Sequence, residues 1–458
     1  MLSYLLDHEK FSELASLWQS TPFIYLGLTS EKTSLTRWEI FQIAEQLSQQ
    51  LPKNDFSVIL LFQQRHHFLI GLLATALRDG RCILPPNLAD KTLNNLLKKN
   101  THVYVMAEHC PKPLTKQTLI TDQTITQLIH QVQNNPKAFC PKALSNELHT
   151  IQNAEIWLFT SGTTGTPKKI IKTWKNMILS AEIAIKRFQL MSPHYIVATV
   201  PCQHMFGLET TVFWPLFSTT SQWFERPIFP EDILEALNAN KQHATYLIST
   251  PLHLKKILGF QLHWPAHLSY VLSATAPLSL SSAQDIEASF NVKLFEVYGS
   301  TETASIASRH TAQSKNWQTY EQVSFQIYQN QVSVKTPGLI TFQSLSDQIE
   351  PIDCTHFRLG QRDADLIKIA GKRASLTELN QHLQNIPKVS EGIFVHTKDA
   401  ERLMAFVVSS LSPSDILTSL RQSIDPVFLP RPLHFIEEFP RNEVGKIMYN
   451  QLLLKIKS

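Results

Sequence analysis

The run Thr160-Ser161-Gly162-Thr163-Thr164-Gly165-Thr166-Pro167-Lys168-Lys169 decides how the rest of this chain is read. Before it stands Ile156-Trp157-Leu158-Phe159, an apolar stretch of strand length. After it, Thr173 to Phe188 repeats apolar residues at helical spacing, so a strand-to-helix loop is expected. Glycines let a backbone approach a ligand, main-chain N–H groups and hydroxyls donate to phosphate oxygens, and lysine adds a point charge. That composition suits a polyphosphate. The G-x-x-x-x-G-K-[ST] loop does not fit, because Gly165 follows Gly162 by three positions and Pro167 precedes Lys168. Taken alone, an ordinary Gly/Thr turn is the lesser rival reading, and the company the run keeps along the chain shrinks it further.

A chain of 458 residues holds roughly two or three domains with sizeable cores. With 43% hydrophobic and 17% charged residues the composition is globular. The net charge of +4 gives no support to nucleic-acid binding. Glycine is scarce at 13 residues, and seven of them (Gly162, Gly165, Gly207, Gly299, Gly360, Gly371 and Gly445) fall inside motifs discussed here. The five cysteines, Cys82, Cys110, Cys140, Cys202 and Cys354, lack C-x-x-C spacing, so neither a disulfide framework nor a zinc site is expected, and the cytoplasm is the natural compartment. Met1 to Lys10 has no signal-peptide pattern, and Phe68 to Leu77 is too short to span a bilayer.

Strand and helix signals alternate along the first 150 residues. Ser57–Phe62, Arg81–Leu84 and His102–Met106 read as strands, Gln63–Arg78 and Leu88–Leu97 as helices. Cys110 to Ala154, polar and carrying four prolines, reads as a connection. Beyond the loop the rhythm resumes with strands at Tyr195–Val200, Thr245–Ile248, Tyr270–Ser273 and Lys293–Val297, and helices at Met205–Phe217, Leu252–Leu258 and Ser281–Phe290. This predicts an α/β fold with a parallel sheet covered by helices. Phe325 to Thr341 changes to short alternating runs suited to an antiparallel barrel or meander, and the residues from about Arg362 look like a small α+β domain.

Three more stretches carry chemistry. Tyr298-Gly299-Ser300-Thr301-Glu302-Thr303 closes an apolar strand, where an aromatic ring can stack on a purine, a threonine can hold an oxyanion and a glutamate can ligate Mg²⁺. A capped helix start reads the same residues as well. Pro440-Arg441-Asn442-Glu443-Val444-Gly445-Lys446 ends in a lysine that is either functional or a solvated turn charge. Arg362 to Arg373, with Lys368, Gly371 and Lys372 around Asp363 and Asp365, reads as a functional ribbon or an exposed basic hairpin.

In register over about Ile24 to Leu454, these motifs resemble the adenylate-forming enzymes: acyl-CoA synthetases, luciferases and the adenylation domains of peptide synthetases. The resemblance implies a large N-terminal domain, residues 1–361, of two α/β subdomains plus a distorted β-barrel. It implies a small mobile α+β C-terminal domain, residues 362–458, as a lid. It further implies ATP and Mg²⁺, a carboxylic acid substrate (aryl or fatty), and CoA or the phosphopantetheine of an acyl carrier protein as thiol acceptor. No nucleic acid and no membrane span are expected.

By the same resemblance Thr160, Ser161, Gly162, Thr163, Thr164, Gly165 and Lys168 hold the ATP phosphates. Ala274, Thr275, Ala276 and Pro277 line the adenine, and Tyr298, Gly299 and Ser300 flank it. Thr301 contacts the α-phosphate and carboxylate, and Glu302 ligates the metal. His204 in Pro201–Gly207 lies beside the acyl pocket, unless it is an ordinary helix-start histidine. Arg362 holds the ribose together with Asp347, for which Asp353 is a rival, and Lys446 bridges carboxylate and α-phosphate. The chain departs from the family where the adenine segment lacks glycines and where Ala364 takes the place of the hinge aspartate. Its shortness and His204-Met205-Phe206-Gly207-Leu208-Glu209 resemble the compact aryl- or acyl-acid ligases of bacterial pigment clusters. His204, Phe206, Ser249, Thr250 and Ala274 are the expected pocket lining. Two other classes stay open: a non-catalytic nucleotide-binding protein on the same fold, and an NTPase or phosphotransferase.

Overall fold

The computed structural model describes residues 18–26, 34–100, 102–109, 111–114, 117–160, 168–260, 262–329, 331–362, 366–369, 372–396, 402–442 and 445–454. They divide into two compact units. The larger runs to Ser324 and takes in Lys335–Gln343 and the Gly445–Lys446 turn; the smaller holds Phe325–Val334, Ser344–Asn442 and the residues from Ile447.

The large unit begins with β1 (Pro22–Tyr25), β2 (Ser34–Thr36) and a helix, Arg37–Ser48, whose start is closed by a reciprocal Thr36–Glu39 capping box. A six-stranded sheet follows: β3 (Ser57–Leu60), β4 (Arg81–Ile83), β5 (Val103–Met106), β6 (Thr118–Ile120), β7 (Glu155–Thr160) and β8 (Lys168–Thr173), ordered β6-β5-β3-β4-β7-β8. All its pairs are parallel except β7–β8. The stretch expected to be a connection, Cys110 to Ala154, instead contributes β6 and two helices, Asp122–Asn134 and Pro141–Thr150. Ile125, Leu128, Ile129, Leu144 and Leu148 are buried at helical spacing there. Its prolines mislead: Pro141 occupies the first helical turn, where proline is tolerated.

A second sheet is built from β9 (His194–Ala198), β10 (Ser221–Trp223), β11 (Ala244–Ser249), β12 (Leu268–Ser273), β13 (Lys293–Ser300), β14 (Ala304–His310) and β15 (Trp317–Thr319). The neighbours run β15-β14-β13-β12-β11-β9-β10-β1-β2, and the pairs from β13 through to β1 are parallel. Both faces of the two sheets are covered, so neighbouring strand residues enter different cores. Tyr246 and Ile248 join a central core with Leu60, Leu72, Ile156, Trp174 and Trp214, while Leu247 packs outward with Ile233, Leu254 and Ile286. Each such fully buried aliphatic side chain contributes about 2 kcal/mol.

Helix Met205–Phe217 is expected to be continuous. It is instead α-helical over Met205–Leu208, π-helical over Glu209–Phe213 and α-helical again over Trp214–Leu216. The exit from this segment is bolted by Arg37, whose guanidinium is fully buried. Its Nη2 donates to the carbonyls of Pro215 (2.7 Å), Ser218 (2.8 Å) and Thr220 (2.6 Å), and its Nε donates to Pro215 as well. Burial lowers the Arg37 pKa to about 9, which leaves it charged at neutral pH.

Where a distorted barrel is expected, the described strands form a three-stranded sheet, β16 (Ser324–Tyr328), β17 (Gln331–Lys335) and β18 (Gln343–Ser344). In the smaller unit, β19 (Asp347–Pro351) and β20 (His356–Arg362) make an antiparallel hairpin, as do β21 (Leu366–Ile369) and β22 (Lys372–Ser375). Its main sheet is β23 (Val389–Val395), β24 (Met404–Ser409) and β25 (Leu433–Phe435), with helices Leu376–Gln384 and Pro413–Ser423 burying Leu379, Leu383, Ile416 and Leu420. Among the described residues Cys82, Cys140, Cys202 and Cys354 are free, and no helix is long and apolar enough to cross a membrane.

Truncating Arg37 strands three buried carbonyls. Arg37→Met is expected to destabilise the protein by about 3 kcal/mol, and Arg37→Lys by less, read as lower urea denaturation midpoints.

Candidate active site

Four of the expected site segments lie at one edge of the second sheet. Pro201–Gly207 follows β9, Thr250 follows β11, Ala274–Pro277 follows β12, and Tyr298 to Glu302 close β13. Because β13, β12, β11 and β9 are adjacent and parallel, their C-terminal ends form one rim. That is where open α/β sheets bind ligands.

At the end of β13 the chain turns tightly into β14, with Gly299 paired to Ser305 and Ser300 to Ala304. The backbone passes so close that a Cβ on Gly299 would stand 2.1 Å from the Ala304 carbonyl oxygen. The turn Thr301–Thr303 is closed from within: Ser300 N donates to Thr303 Oγ1 (3.0 Å) and Thr303 N donates to Ser300 Oγ (3.2 Å). It is a hairpin turn, not the helix start that was the rival reading. Ala304 is buried and left-handed at φ +61, which costs a non-glycine residue about 1 kcal/mol or more. Thr275 is left-handed too, at φ +80, where the sequence reading noted missing glycines. Both strained residues sit on the rim.

The end of Ala274–Pro277 is tied down by Glu296, whose buried carboxylate accepts from Leu278 N (2.9 Å), Arg309 Nε (2.9 Å) and Thr311 Oγ1 (2.8 Å). Arg309 in turn lies 4.6 Å over the Trp317 ring, and Trp317 stands 5.5 Å from the Tyr298 ring. One chain of contacts thus supports both segments expected around a purine.

His204 precedes the helical residues in extended conformation, and its side chain makes no capping hydrogen bond. Burial and the nearby Arg226 push its pKa down to about 4, so the imidazole is neutral at physiological pH. Gly207 is required by packing: a Cβ there would meet the Pro201 carbonyl oxygen at 1.9 Å. Ser249 is buried with its hydroxyl 2.8 Å from Thr199 Oγ1, and Thr250 caps the helix Pro251–Leu258. Those hydroxyls are engaged, which leaves the expected pocket lining predominantly apolar.

The expected strand-to-helix loop needs correcting. Thr160 and Lys168 are Cα partners at the end of the β7–β8 ladder, so the run connects two antiparallel strands, and the helix Trp174–Arg187 starts only after β8. Lys168 to Thr173 can alternate its side chains on an edge strand, which the helical pattern behind it hid. Ser161, Gly162, Thr163, Thr164, Gly165, Thr166 and Pro167 lie outside the described residues.

Two buried residues the sequence reading missed hold the two flanks of the turn. On β8 the polarity is inverted: Ile171 is 45% exposed while Lys172 is 4% exposed. Lys172 Nζ donates to the main-chain oxygen of Glu302. Glu209, at the start of the π-helical turn, is 2% exposed and accepts from Ser305 N (3.0 Å) and Ser305 Oγ (2.8 Å). Burial lowers the Lys172 pKa to about 8, offset by Glu209 and Glu302; burial raises the Glu209 pKa to about 7, offset by Ser305 and Lys172. The available signals were a lysine in step with Ile170 along the strand and a lone carboxylate within Met205–Phe217.

In the smaller unit, Asp347 and Arg362 are Cα partners across β19–β20. The rival Asp353 closes its own turn: its exposed carboxylate accepts from Thr355 N (2.7 Å), Thr355 Oγ1 (2.9 Å) and His356 N (2.8 Å), which lowers its pKa to about 2. Gly445 is left-handed at φ +77, and the following Lys446 is exposed.

A model of the AMP-binding enzyme family matches residues 23–338. This chain belongs to that family, the adenylate-forming class that its motifs resemble. Among curated relatives, a probable CoA ligase of Humulus lupulus is 25% identical over 345 residues, 65% of this chain and 62% of that protein. A crotonobetaine/carnitine–CoA ligase of Salmonella typhimurium is 24% identical over 357 residues, 67% of each. The match therefore spans under two thirds of the first relative's length and about two thirds of the second's. Among solved structures, O-succinylbenzoate coenzyme A synthetase from Bacillus subtilis in complex with AMP superposes with a TM-score of 0.76 at 16% identity, covering 98% of both chains. ATP-bound MatB from Rhodopseudomonas palustris gives 0.78 at 17% identity, again covering 98% of both. At these identities the likeness is one of fold.

The Glu209 pKa carries a sign that can be checked. Between pH 4.5 and 7 the folded protein keeps a proton on Glu209 that the unfolded chain has released, so this group costs more stability as pH rises through that window. Glu209→Gln removes the effect. The stability of wild type relative to the variant is expected to fall from pH 4.5 to 7 and level off above, as read from urea midpoints across pH 4.5 to 8.

Proposed function

We propose that this chain is an ATP-dependent carboxylic acid ligase that forms an acyl-adenylate with release of pyrophosphate and then transfers the acyl group to a thiol. The observation that carries the reading is the single rim on which the nucleotide-type segments, the Thr301–Thr303 turn and the apolar His204 region converge, tied to the phosphate-loop hairpin by Lys172. In this reading residues 1–361 act as the adenylation domain and residues 362–458 as a lid carrying Lys446.

Thr160 to Gly165 and Lys168 hold the β- and γ-phosphates. Ala274 to Pro277 and Tyr298 sandwich the adenine, with Gly299 and Ser300 shaping the turn. Asp347 and Arg362 hold the ribose; their pairing across one hairpin supports that choice over Asp353, which accepts within its own turn. Glu302 would hold Mg²⁺: its main-chain oxygen is engaged by Lys172, and one carboxylate beside phosphates is an ordinary ligand set for this ion. Bound there, the ion supplies neutralisation of phosphate charge.

The residue chemistry follows from charge. A carboxylate attacking a phosphate is an anion approaching an anion, and Lys446 offsets that repulsion in the transition state. Thr301 orients the carboxylate against the α-phosphorus, and no general base is required because the nucleophile is already ionised. His204, neutral by burial, borders the acid without adding charge. The engaged hydroxyls of Ser249 and Thr250 beside Phe206 and Ala274 favour an aryl or fatty acid. Coenzyme A is the acceptor that the CoA ligases among the relatives support. A carrier-protein phosphopantetheine offers the same thiol, and the compact length and His204–Glu209 stretch keep it as the alternative.

Carboxylate-dependent exchange of labelled pyrophosphate into ATP tests this, with a panel of aryl and fatty acids. Exchange is expected with one acid class and is expected to fall at least about a hundredfold in Lys446→Ala, the scale of one lost transition-state charge contact. Release of ADP or phosphate would favour an NTPase or phosphotransferase. ATP binding without exchange across the panel would favour a non-catalytic nucleotide-binding protein. Thioester formation with CoA or with a carrier protein then names the acceptor.

A further inference from the structure

We propose that Lys172 is a positioning residue of the activation step, a role that presupposes the adenylating activity proposed above: with Glu209 holding the other flank of the Thr301–Thr303 turn, it ties the β7–β8 hairpin to that turn and sets where Thr301 and Glu302 stand.

The first ground is the inverted polarity of β8. Ile171 faces outward and Lys172 inward, opposite Ile156 across the ladder, among core residues an aliphatic side chain would fill at lower cost. Burying an ammonium is expensive unless its hydrogen bonds are made. Lys172 makes one to a backbone oxygen 130 residues away, on the residue that carries the candidate metal ligand.

The second ground is what stands on the other side of the turn. Glu209 grips the first residue beyond it that is not strained, Ser305, through both its N–H and its hydroxyl. Between the two anchors lies Ala304, buried and left-handed. A hairpin with a strained non-glycine residue relaxes unless both flanks are held, and Lys172 and Glu209 hold Glu302 and Ser305 respectively. Glu209 and Glu302 both favour the charged form of Lys172, and Lys172 favours that of Glu209, so the two anchors act on each other electrostatically. Its lysine end lies on the strand that leaves the Ser161–Pro167 run. The device therefore couples the two phosphate-handling segments, with neither Lys172 nor Glu209 needed at the substrate.

The test compares wild type, Lys172→Met, Lys172→Arg and Glu209→Gln. Calorimetry measures MgATP and metal-free ATP affinity without acid, and pyrophosphate exchange separates kcat from the KM for acid. Lys172→Met is expected to weaken MgATP binding and lower kcat each by about ten- to a hundredfold, the range of a charged hydrogen bond, while the acid KM stays within about threefold. Metal-free ATP binding should change less, Lys172→Arg should recover part of the loss, and Glu209→Gln should shift MgATP affinity in the same direction. Faster hydrogen exchange at the amides of residues 300–305 in Lys172→Met, at an unchanged melting temperature, would mark positioning rather than global unfolding.

Wild-type MgATP affinity and kcat in a folded Lys172→Met would overturn the proposal. Should Lys172→Met fail to fold, unchanged MgATP affinity in Glu209→Gln and Lys172→Arg would overturn it equally. A wild type that binds MgATP but exchanges with no acid defeats the adenylating function instead, and the affinity contrast among variants still decides the role of Lys172.

Discussion

The hydrogen bond from Lys172 to the Glu302 carbonyl is the constraint on which the large unit's site depends. Two sheets meet at that point. One contributes an edge ladder that ends at the Thr160–Lys168 pair, and the other contributes four parallel strand ends that form a rim. Apolar packing brings the sheets together, but its driving force is non-directional. A hydrogen bond from a buried ammonium is directed. Glu209 completes the constraint by holding Ser305, and Arg37 holds the exit of the π-helical segment from which Glu209 projects.

The rim itself illustrates a division of labour. Parallel strands place their C-terminal ends together whatever the residues are, so topology alone gathers Pro201–Gly207, Thr250, Ala274–Pro277 and Tyr298–Glu302. Chemistry is then a matter of supports. Glu296 fastens Leu278 and, through Arg309 and Trp317, backs Tyr298. Two left-handed non-glycine residues, Thr275 and Ala304, stand on this rim, while others such as Asp79, Gln189 and Asn291 sit in turns away from it. Charges inside the unit serve backbone oxygens and amides: Arg37, Lys172 and Glu209 each satisfy main-chain groups that an apolar core leaves stranded.

Much of this was legible in the sequence for a physical reason: parallel strands buried on both faces need long apolar runs, and their ligand-bearing turns need small and hydroxyl residues. The strands around 57–60, 103–106, 194–198, 244–249, 268–273 and 293–300 and the turn at Tyr298 announce themselves in that way. The segment Cys110 to Ala154 did not, because helices that bury only one narrow stripe look polar and its prolines looked like breaks. Strand β8 was hidden because two of its three lysines are solvated and the third is not, which a hydrophobicity pattern reads backwards.

The sequence by itself determined the family, the α/β alternation and the identity of the chemical residues in the motifs, since local spacing and residue type carry that information. Tertiary structure alone decided which of them meet. Lys172 and Glu302 are 130 residues apart, Glu209 and Ser305 are 96 apart, and nothing local distinguishes Lys172 from its solvated neighbours. Pairing across a hairpin set Asp347 opposite Arg362, while Asp353 accepts from Thr355 and His356 within its own turn. Burial, set by the whole fold, lowers the pKa of His204 and Lys172 and raises that of Glu209. Spacing along a chain names the groups, and only the desolvation and directed bonds of the folded state decide what each can do.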